Sequence, residues 1–87
     1  MKVIKRPIEM IAKFSQDGTP TPVKFRIINE EESWTEIKVE RVTTREQEKL
    51  AGNKMLIFNC QSCLNNQSVL YQIKYEIDTC RWILHKM

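Results

Sequence analysis

The sequence predicts an all-β protein: a single small antiparallel barrel of about six strands with at most one short helical turn. Apolar and polar residues alternate with period two along most of the chain, which is typical of strands with one buried face. Turn-forming residues recur between the alternating runs at the spacing of a meander. An SH3-like or an OB-like barrel fits 87 residues, and closure of such a barrel removes exposed strand edges.

The terminal segment 71–85 contains the clearest strand pattern. Its apolar positions are Tyr71, Ile73, Tyr75 and Ile77, followed after Asp78-Thr79 by Cys80, Trp82 and Leu84. A two-residue turn at Asp78-Thr79 places Ile77 opposite Cys80, Tyr75 opposite Trp82 and Ile73 opposite Leu84, with Glu76 opposite Arg81 on the other face. A slip of one residue would move every apolar side chain of a strand to the wrong face, so this register is strongly specified.

The N-terminal third predicts a second hairpin, with strands at 8–14 and 23–28 and turn residues between them. Pairing these strands sets Phe14 near Val23 and Ala12 near Phe25. The same register makes Lys13 and Lys24 neighbours on the outer face, with Arg26 beside them. Like charges in direct opposition are mildly destabilising, so this pairing indicates a basic stripe retained for another purpose.

The middle of the chain predicts an acidic turn at 29–33, a third strand at 34–42 and a fourth at 53–60. Residues 43–52 leave two alternatives open. Thr44 could cap a short helix that ends at Gly52, or the segment could be a flexible excursion between strands. Residues 61–67, rich in Asn and Ser, predict a loop before the terminal hairpin.

Length and charge bound the function. Eighty-seven residues form one domain, residues 1–87, with a net charge of +3. Residues 1–28 carry six basic and two acidic side chains, whereas residues 29–48 carry three basic and seven acidic ones. We expect a basic and an acidic region on the surface. The sequence has no apolar run of membrane-spanning length and an odd number of cysteines, three, so we expect a cytoplasmic protein with reduced thiols.

The cysteines raise the question of a metal site. Cys60 and Cys63 have the spacing of a zinc knuckle, which Cys80 and His85 could complete. Cys80 and His85 have opposite strand parity, however, and Cys60 and Cys80 fit the apolar face. Two buried cysteines and one loop thiol are therefore the favoured interpretation, with no metal and no cofactor.

Catalytic groups are sparse. His85, the single histidine, has no nucleophile near it in the sequence, and the carboxylates at 30–32 are typical of a solvated loop. Gly18 and Gly52 are the two glycines, too few for a phosphate-binding loop. We therefore expect a binding protein and not an enzyme.

Two binding functions remain open. Lys13, Lys24 and Arg26 could contact nucleic acid, since small barrels bind single strands through a positive groove and stacking aromatics. Trp34, beside an acidic strand, could instead anchor a partner protein, and an unpaired strand edge could join two copies into a homodimer.

The order of motifs resembles a family of small uncharacterised bacterial proteins whose genes often lie beside those of Y-family translesion DNA polymerases. The resemblance is carried by Pro7-Ile-Glu-Met10, Pro22-Val-Lys-Phe-Arg26, Ile37-Lys-Val-Glu-Arg-Val42, Tyr71-Gln-Ile-Lys-Tyr75 and the segment Cys80 to Lys86. The chain departs from the family between Thr43 and Asn53, and the family offers no catalytic residues to carry over. The resemblance implies an accessory role in DNA repair or replication, through DNA or through a polymerase-type partner.

Overall fold

A computed structural model describes residues 1–29 and 31–87, and within them the chain forms seven strands and no helix. The strands are β1 (Val3–Phe14), β2 (Pro20–Ile28), β3 (Trp34–Lys38), β4 (Arg41–Leu50), β5 (Asn53–Leu64), β6 (Gln67–Glu76) and β7 (Arg81–Lys86). This part of the chain therefore offers no helical membrane span. Glu30, which belongs to the predicted acidic turn, lies outside the described residues.

The strands form an antiparallel sheet in the order β3-β2-β1-β7-β6-β5-β4. β3 and β4 are the two edges of this sheet, yet only Val39 and Glu40 separate them in the chain. Because a strand advances about 3.4 Å per residue, this connection spans roughly 10 Å and holds the two edges close together. The sheet must curl to allow this, and it forms a half-barrel. The predicted all-β antiparallel class is confirmed.

β1 changes its partner halfway along. From Val3 to Ile8 it pairs with β7, and from Glu9 to Phe14 it pairs with β2. With 12 residues it is about twice the usual strand length. The length lets one strand belong to both layers of the half-barrel, with β2 and β3 on one side and β7 to β4 on the other.

The core lies between these two layers. Its buried members are Phe25, Ile37, Phe58, Cys60, Tyr71, Ile73, Tyr75, Trp82 and Leu84. Most come from β5, β6 and β7 at alternating positions, because a strand presents every second side chain to the core. One polar side chain, Ser62, is also buried, and it hydrogen-bonds the hydroxyl of Tyr71 and the carbonyl of Lys38.

The register predicted for the terminal hairpin is confirmed: Ile73 pairs with Leu84, Tyr75 with Trp82 and Glu76 with Arg81. The predicted two-residue turn is wrong. Four residues, 77–80, form the loop, and the Cys80 amide donates to the Glu76 carbonyl at 2.9 Å. Cys80 adopts a left-handed conformation with φ 60°, which ends the strand alternation. Ile77 and Cys80 are consequently exposed and do not extend the apolar face.

The register predicted for the N-terminal hairpin is wrong, by two residues before a bulge in β1 and by three after it. Met10 pairs with Phe25, and a bulge between Ile11 and Ala12 brings Ala12 opposite Pro22. The turn is tighter than expected because the Asp17 carboxylate accepts hydrogen bonds from Ser15 and from the Thr19 amide. These bonds lower the pKa of Asp17 to about 2. β2 therefore begins at Pro20 and takes in residues expected in the loop.

The middle of the chain contains one more strand than expected. Residues 43–52 form neither a helix nor an excursion, since β4 extends to Leu50 and pairs with β5 along its length. A tight turn follows in which Ala51 and Gly52 have φ values of 50° and 85°. Asn65 and Asn66, with φ values of 51° and 64°, form the corresponding turn between β5 and β6. Positive φ at both central residues is the geometry that hairpin turns favour.

The predicted strand 34–42 is interrupted at Val39 and Glu40, where the chain crosses from one edge of the sheet to the other. Val39 still packs against the core, and its amide donates to the Val23 carbonyl at 2.9 Å. The Glu40 carboxylate accepts the Cys63 amide. The crossing residues are thus bonded to both layers.

Candidate functional site

The change of partner in β1 opens a groove in the surface. Beyond Ile8, β1 turns away from β7 to follow β2, and a space of about 1070 Å³ lies between them. We call this space the fork groove. Its apolar lining includes Pro7, Ile8, Met10, Ile11, Phe14, Tyr75 and Trp82, and its charged lining is Glu9, Lys24, Arg26, Glu36 and Arg81.

Three aromatic rings in a contiguous row form part of the apolar lining of the fork groove. The centroids of Tyr75 and Trp82 lie 4.6 Å apart, and Phe14 meets Tyr75 edge to face at 6.2 Å. Tyr75 and Trp82 are buried, but Phe14 is 53% exposed. Phe14 has the strand parity of a core residue, and its ring is left partly uncovered because β1 has separated from β7 at this point. Exposed aromatic surface of this kind marks binding grooves.

The second half of β1 also offers a free backbone edge. In the described residues, Glu9–Phe14 pairs with β2 on one side only, and its other side faces the fork groove. In a strand paired on one side, alternate residues direct their N–H and C=O groups away from the partner. The groove therefore combines free backbone hydrogen-bonding groups with exposed aromatic rings.

Trp34 lies beside the fork groove and is covered on one face by Arg26. The guanidinium carbon of Arg26 is 4.3 Å from the ring centroid, a distance suited to a cation–π contact. Trp34 nevertheless remains 51% exposed, and Ile28, its partner across the strands, is also exposed. Arg26 joins this surface to the groove because it lines the groove as well.

The basic residues predicted to bind nucleic acid do not share one stripe. Lys24 pairs with Glu36 at 3.3 Å, and Arg26 pairs with Glu9, whose pKa is lowered by that hydrogen bond. Lys13 lies opposite Thr21, not Lys24. The predicted Lys13–Lys24 neighbourhood is therefore wrong, because it depended on a register that the bulge and the tight turn change.

The cysteines are separated by the fold. Cys60 and Cys63 lie three residues apart on the continuous strand β5, so they point to opposite faces of the sheet. Cys60 is buried, and burial raises its pKa to about 12. Cys63 and Cys80 are exposed, Cys80 in the last loop. Across residues 1–29 and 31–87, no three Cys, His, Asp or Glu side chains gather in a metal-binding arrangement.

A polar row that the sequence did not indicate crosses four strands on the outer face. The side-chain amide of Asn59 donates to the Thr44 hydroxyl at 2.7 Å. The amide nitrogen of Gln72 donates to the side-chain oxygen of Asn59 at 3.1 Å, and the side-chain oxygen of Gln72 lies 2.8 Å from Nδ1 of His85. Burial lowers the pKa of His85, and Lys74, Lys86 and Lys5 lower it further. His85 is thus half-buried and hydrogen-bonded.

The long-range pairings explain why these features were missed. Lys2 and Met87 exchange two backbone hydrogen bonds, of 2.8 and 2.9 Å, so the two termini lie side by side. Local alternation carries no information on such pairing. The length of β1 is the feature that could have indicated the fork groove. The sequence did not reveal that length, because Val3 to Pro7 does not alternate between apolar and polar residues.

Fold and groove together define a small all-β protein with a partly open antiparallel barrel and a surface cleft. No protein-family model, curated protein or solved structure matches the chain.

Proposed function

We propose that this protein is a non-enzymatic interaction module that binds an extended peptide segment of a partner protein in the fork groove. The observation that carries the proposal is the free edge of β1 from Glu9 to Phe14, which lies beside the exposed ring of Phe14. A peptide in extended conformation can complete such an edge as an added strand.

The free edge favours a peptide over a small ligand. Main-chain hydrogen bonds to a strand edge give affinity, while side-chain pockets at alternating positions give specificity. The rings of Phe14, Tyr75 and Trp82 provide an apolar surface next to that edge. We expect an aromatic or large aliphatic side chain of the ligand to pack there.

The charges of the groove set a preference among peptides. Glu9 and Arg26 neutralise each other, as do Lys24 and Glu36. Arg81 forms no salt bridge within the described residues, although its strand partner Glu76 lies nearby. An acidic residue that follows the apolar anchor would contact Arg81, so we expect the ligand to be apolar and weakly acidic.

Trp34 extends the proposed surface. Tryptophan and arginine are the residue types most enriched among binding hot spots, and here the two are stacked at the margin of the groove. A partner that enters the groove would cover the exposed face of Trp34. The family resemblance implies a polymerase-type partner, and peptides from Y-family polymerases are therefore included among the first ligands to test.

The test is selection of peptides from a random display library, followed by titration calorimetry with the selected sequence. Phe14→Ala and Trp34→Ala should each weaken binding about tenfold or more, the effect of losing roughly 1.4 kcal/mol. Leu70→Ala is the matched control, since Leu70 is a similarly exposed apolar residue, 57%, on β6 outside the groove lining. Equal effects of the three variants would contradict the proposal.

Backbone amide shifts locate the ligand. Peptide binding should perturb the amides of Glu9–Phe14 and leave those of β4 unchanged. Sedimentation of the protein alone provides a second check. A concentration-dependent dimer that perturbs the same amides would show that a second copy occupies the edge, and it would overturn the assignment to a heterologous peptide.

A further inference from the structure

Two bulges meet at His85 on the outer face, in the half of β7 beyond the fork groove. In the pairing of β1 with β7, Val3 lies opposite Lys86 and Arg6 opposite Leu84, so Ile4 and Lys5 together face His85. In the pairing of β6 with β7, Gln72 lies opposite Lys86 and Ile73 opposite Leu84, so here His85 itself is the inserted residue. Bulges redirect side chains and occur preferentially beside functional sites.

The first bulge requires an unfavourable backbone conformation. Lys5 has φ 51°, a left-handed value that costs a non-glycine residue energy. The bulge sets Lys5 opposite His85, Lys86 follows His85 in the chain, and Lys74 lies on β6 opposite Ile83, so lysines from three adjacent strands lie around His85. Backbone strain of this kind is concentrated at binding and active sites.

The polar row fixes the orientation of His85. Because Gln72 uses its amide nitrogen to donate to Asn59, its carbonyl oxygen is the group that faces the imidazole. That oxygen only accepts, so Nδ1 of His85 carries the hydrogen. Nε2 is then the ring nitrogen that can take up a proton.

We propose that Lys5, Lys74, Lys86 and His85 form a binding site for phosphate groups of single-stranded nucleic acid. The site is separate from the fork groove and does not depend on the function proposed for it. Lys74 is largely enclosed, with 14% of its side chain exposed, and it is held by Glu48 at 3.2 Å. Lys5 and Lys86 are the cations available to contact a ligand first.

The arrangement suits a polyanion better than a single phosphate ion. Lys2 is bonded to Met87, next to Lys86, so the cations continue along β1 and β7 instead of enclosing one point. The face is an open sheet surface, and the amides of Asn59 and Gln72 extend it across the neighbouring strands. A chain of phosphates can follow such a band.

Binding should be coupled to protonation of His85. Burial lowers the pKa of His85 most. Lys74 on β6, Lys86 next to His85 in the chain and Lys5 on β1 lower that pKa further, and Glu48 on β4 opposes them. A bound phosphate would offset the three lysines and raise that pKa. Since the bound state then takes up a proton, affinity should increase as the pH falls. A rise of one pKa unit corresponds to about a tenfold gain.

Fluorescence anisotropy with a labelled oligothymidine tests the site. Contacts from three lysines predict that a plot of log affinity against log salt concentration has a slope of roughly −2. Affinity should then fall about 20-fold between 50 and 200 mM salt. Lys5→Asn, which tolerates the left-handed backbone, and Lys86→Ser should each reduce the slope by about 0.7. Lys13→Ser and Lys38→Ser, each of which removes one exposed charge on the other layer, should leave affinity and slope unchanged.

The histidine is tested separately. His85→Gln should abolish the gain in affinity between pH 7.5 and 5.5, and the imidazole resonances of the wild type should move when oligothymidine is added. Absence of binding at low salt, or equal losses in all four lysine variants, would overturn the proposal. Inorganic phosphate that moves the same resonances as strongly as oligothymidine would show a site for the free anion, and would overturn the assignment to nucleic acid.

Discussion

The hydroxyl of Tyr71 lies 2.5 Å from that of Ser62 inside the core, and Ser62 in turn donates to the carbonyl of Lys38 at 2.6 Å. Because Lys38 accepts from Ser62, Tyr71 must be the donor to Ser62. This chain of two bonds joins β6 and β5 to the end of β3, across the layers of the half-barrel. It is a buried polar link at the place where the sheet edges approach each other.

The two ends of this link should differ in their effect on stability. Tyr71→Phe removes one bond and leaves Ser62 still donating, so we expect a loss of about 1 kcal/mol. Ser62→Ala leaves both the Tyr71 hydroxyl and the Lys38 carbonyl without this partner, so we expect a larger loss, about 2 kcal/mol. Urea unfolding of both variants measures the order. A larger loss for Tyr71→Phe would contradict the assigned bond directions.

The hairpin of β6 and β7 should show the difference between its two faces. Ile73 is completely buried opposite Leu84, and Ile73→Val should lower the free energy of unfolding by about 1 kcal/mol. Leu70→Ala, on the same strand but exposed, should change it by less than about 0.5 kcal/mol. Thermal unfolding monitored by circular dichroism compares them. Similar effects would mean that the strand faces are not as described.

The turn at Ala51 and Gly52 should be improvable by one substitution. Alanine at φ 50° is strained, whereas asparagine tolerates the left-handed region, so Ala51→Asn should stabilise by about 0.5–1 kcal/mol. Gly52→Ala should destabilise, and only through the backbone, because an added Cβ at Gly52 meets no atom within 4 Å. Melting temperatures of the two variants should move in opposite directions. A shift of both in the same direction would exclude this turn geometry.

Alkaline pH should destabilise the fold through two buried acids. Burial raises the pKa of Cys60 from 9.0 to about 12 and that of Tyr71 from 10.0 to about 12. Both groups stay protonated in the folded state while the unfolded chain ionises. Stability is therefore full below about pH 9 and declines as the pH rises toward 12. Urea midpoints at pH 7.5, 9.5 and 10.5 should fall, and less steeply in Cys60→Ala.

The same burial sets thiol reactivity in the native state. Cys63 and Cys80 are exposed, so they should react promptly with a thiol reagent, while Cys60 should react only on unfolding. Quantification of modified thiols by mass spectrometry should give two fast sites and one slow site. Fast modification of all three would contradict the buried position of Cys60.

Local pattern was sufficient for some elements and not for others. The register of Tyr75 with Trp82 followed from alternation alone, because a shift by one residue would expose both strands' apolar sets. The position of a residue in the alternating pattern did not reveal whether other parts of the protein cover its side chain. Phe14 and Cys80 have core parity but are exposed, since β1 separates from β7 beside one and the loop turns away at the other.

The sequence by itself determined the all-β class and the strand pairing of the terminal hairpin, because these depend on alternation within a few residues. Only the tertiary structure decided that β1 divides between two layers, that Arg26 stacks on Trp34 instead of adding to a basic stripe, and that Lys5 lies across from His85 and Lys86. The pairing of β1 with β7, for example, joins Val3 to Lys86, which is 83 positions away in the 87-residue chain. Pairing between such distant segments depends on how the whole core packs. The local alternation of apolar and polar residues gives no information on that packing.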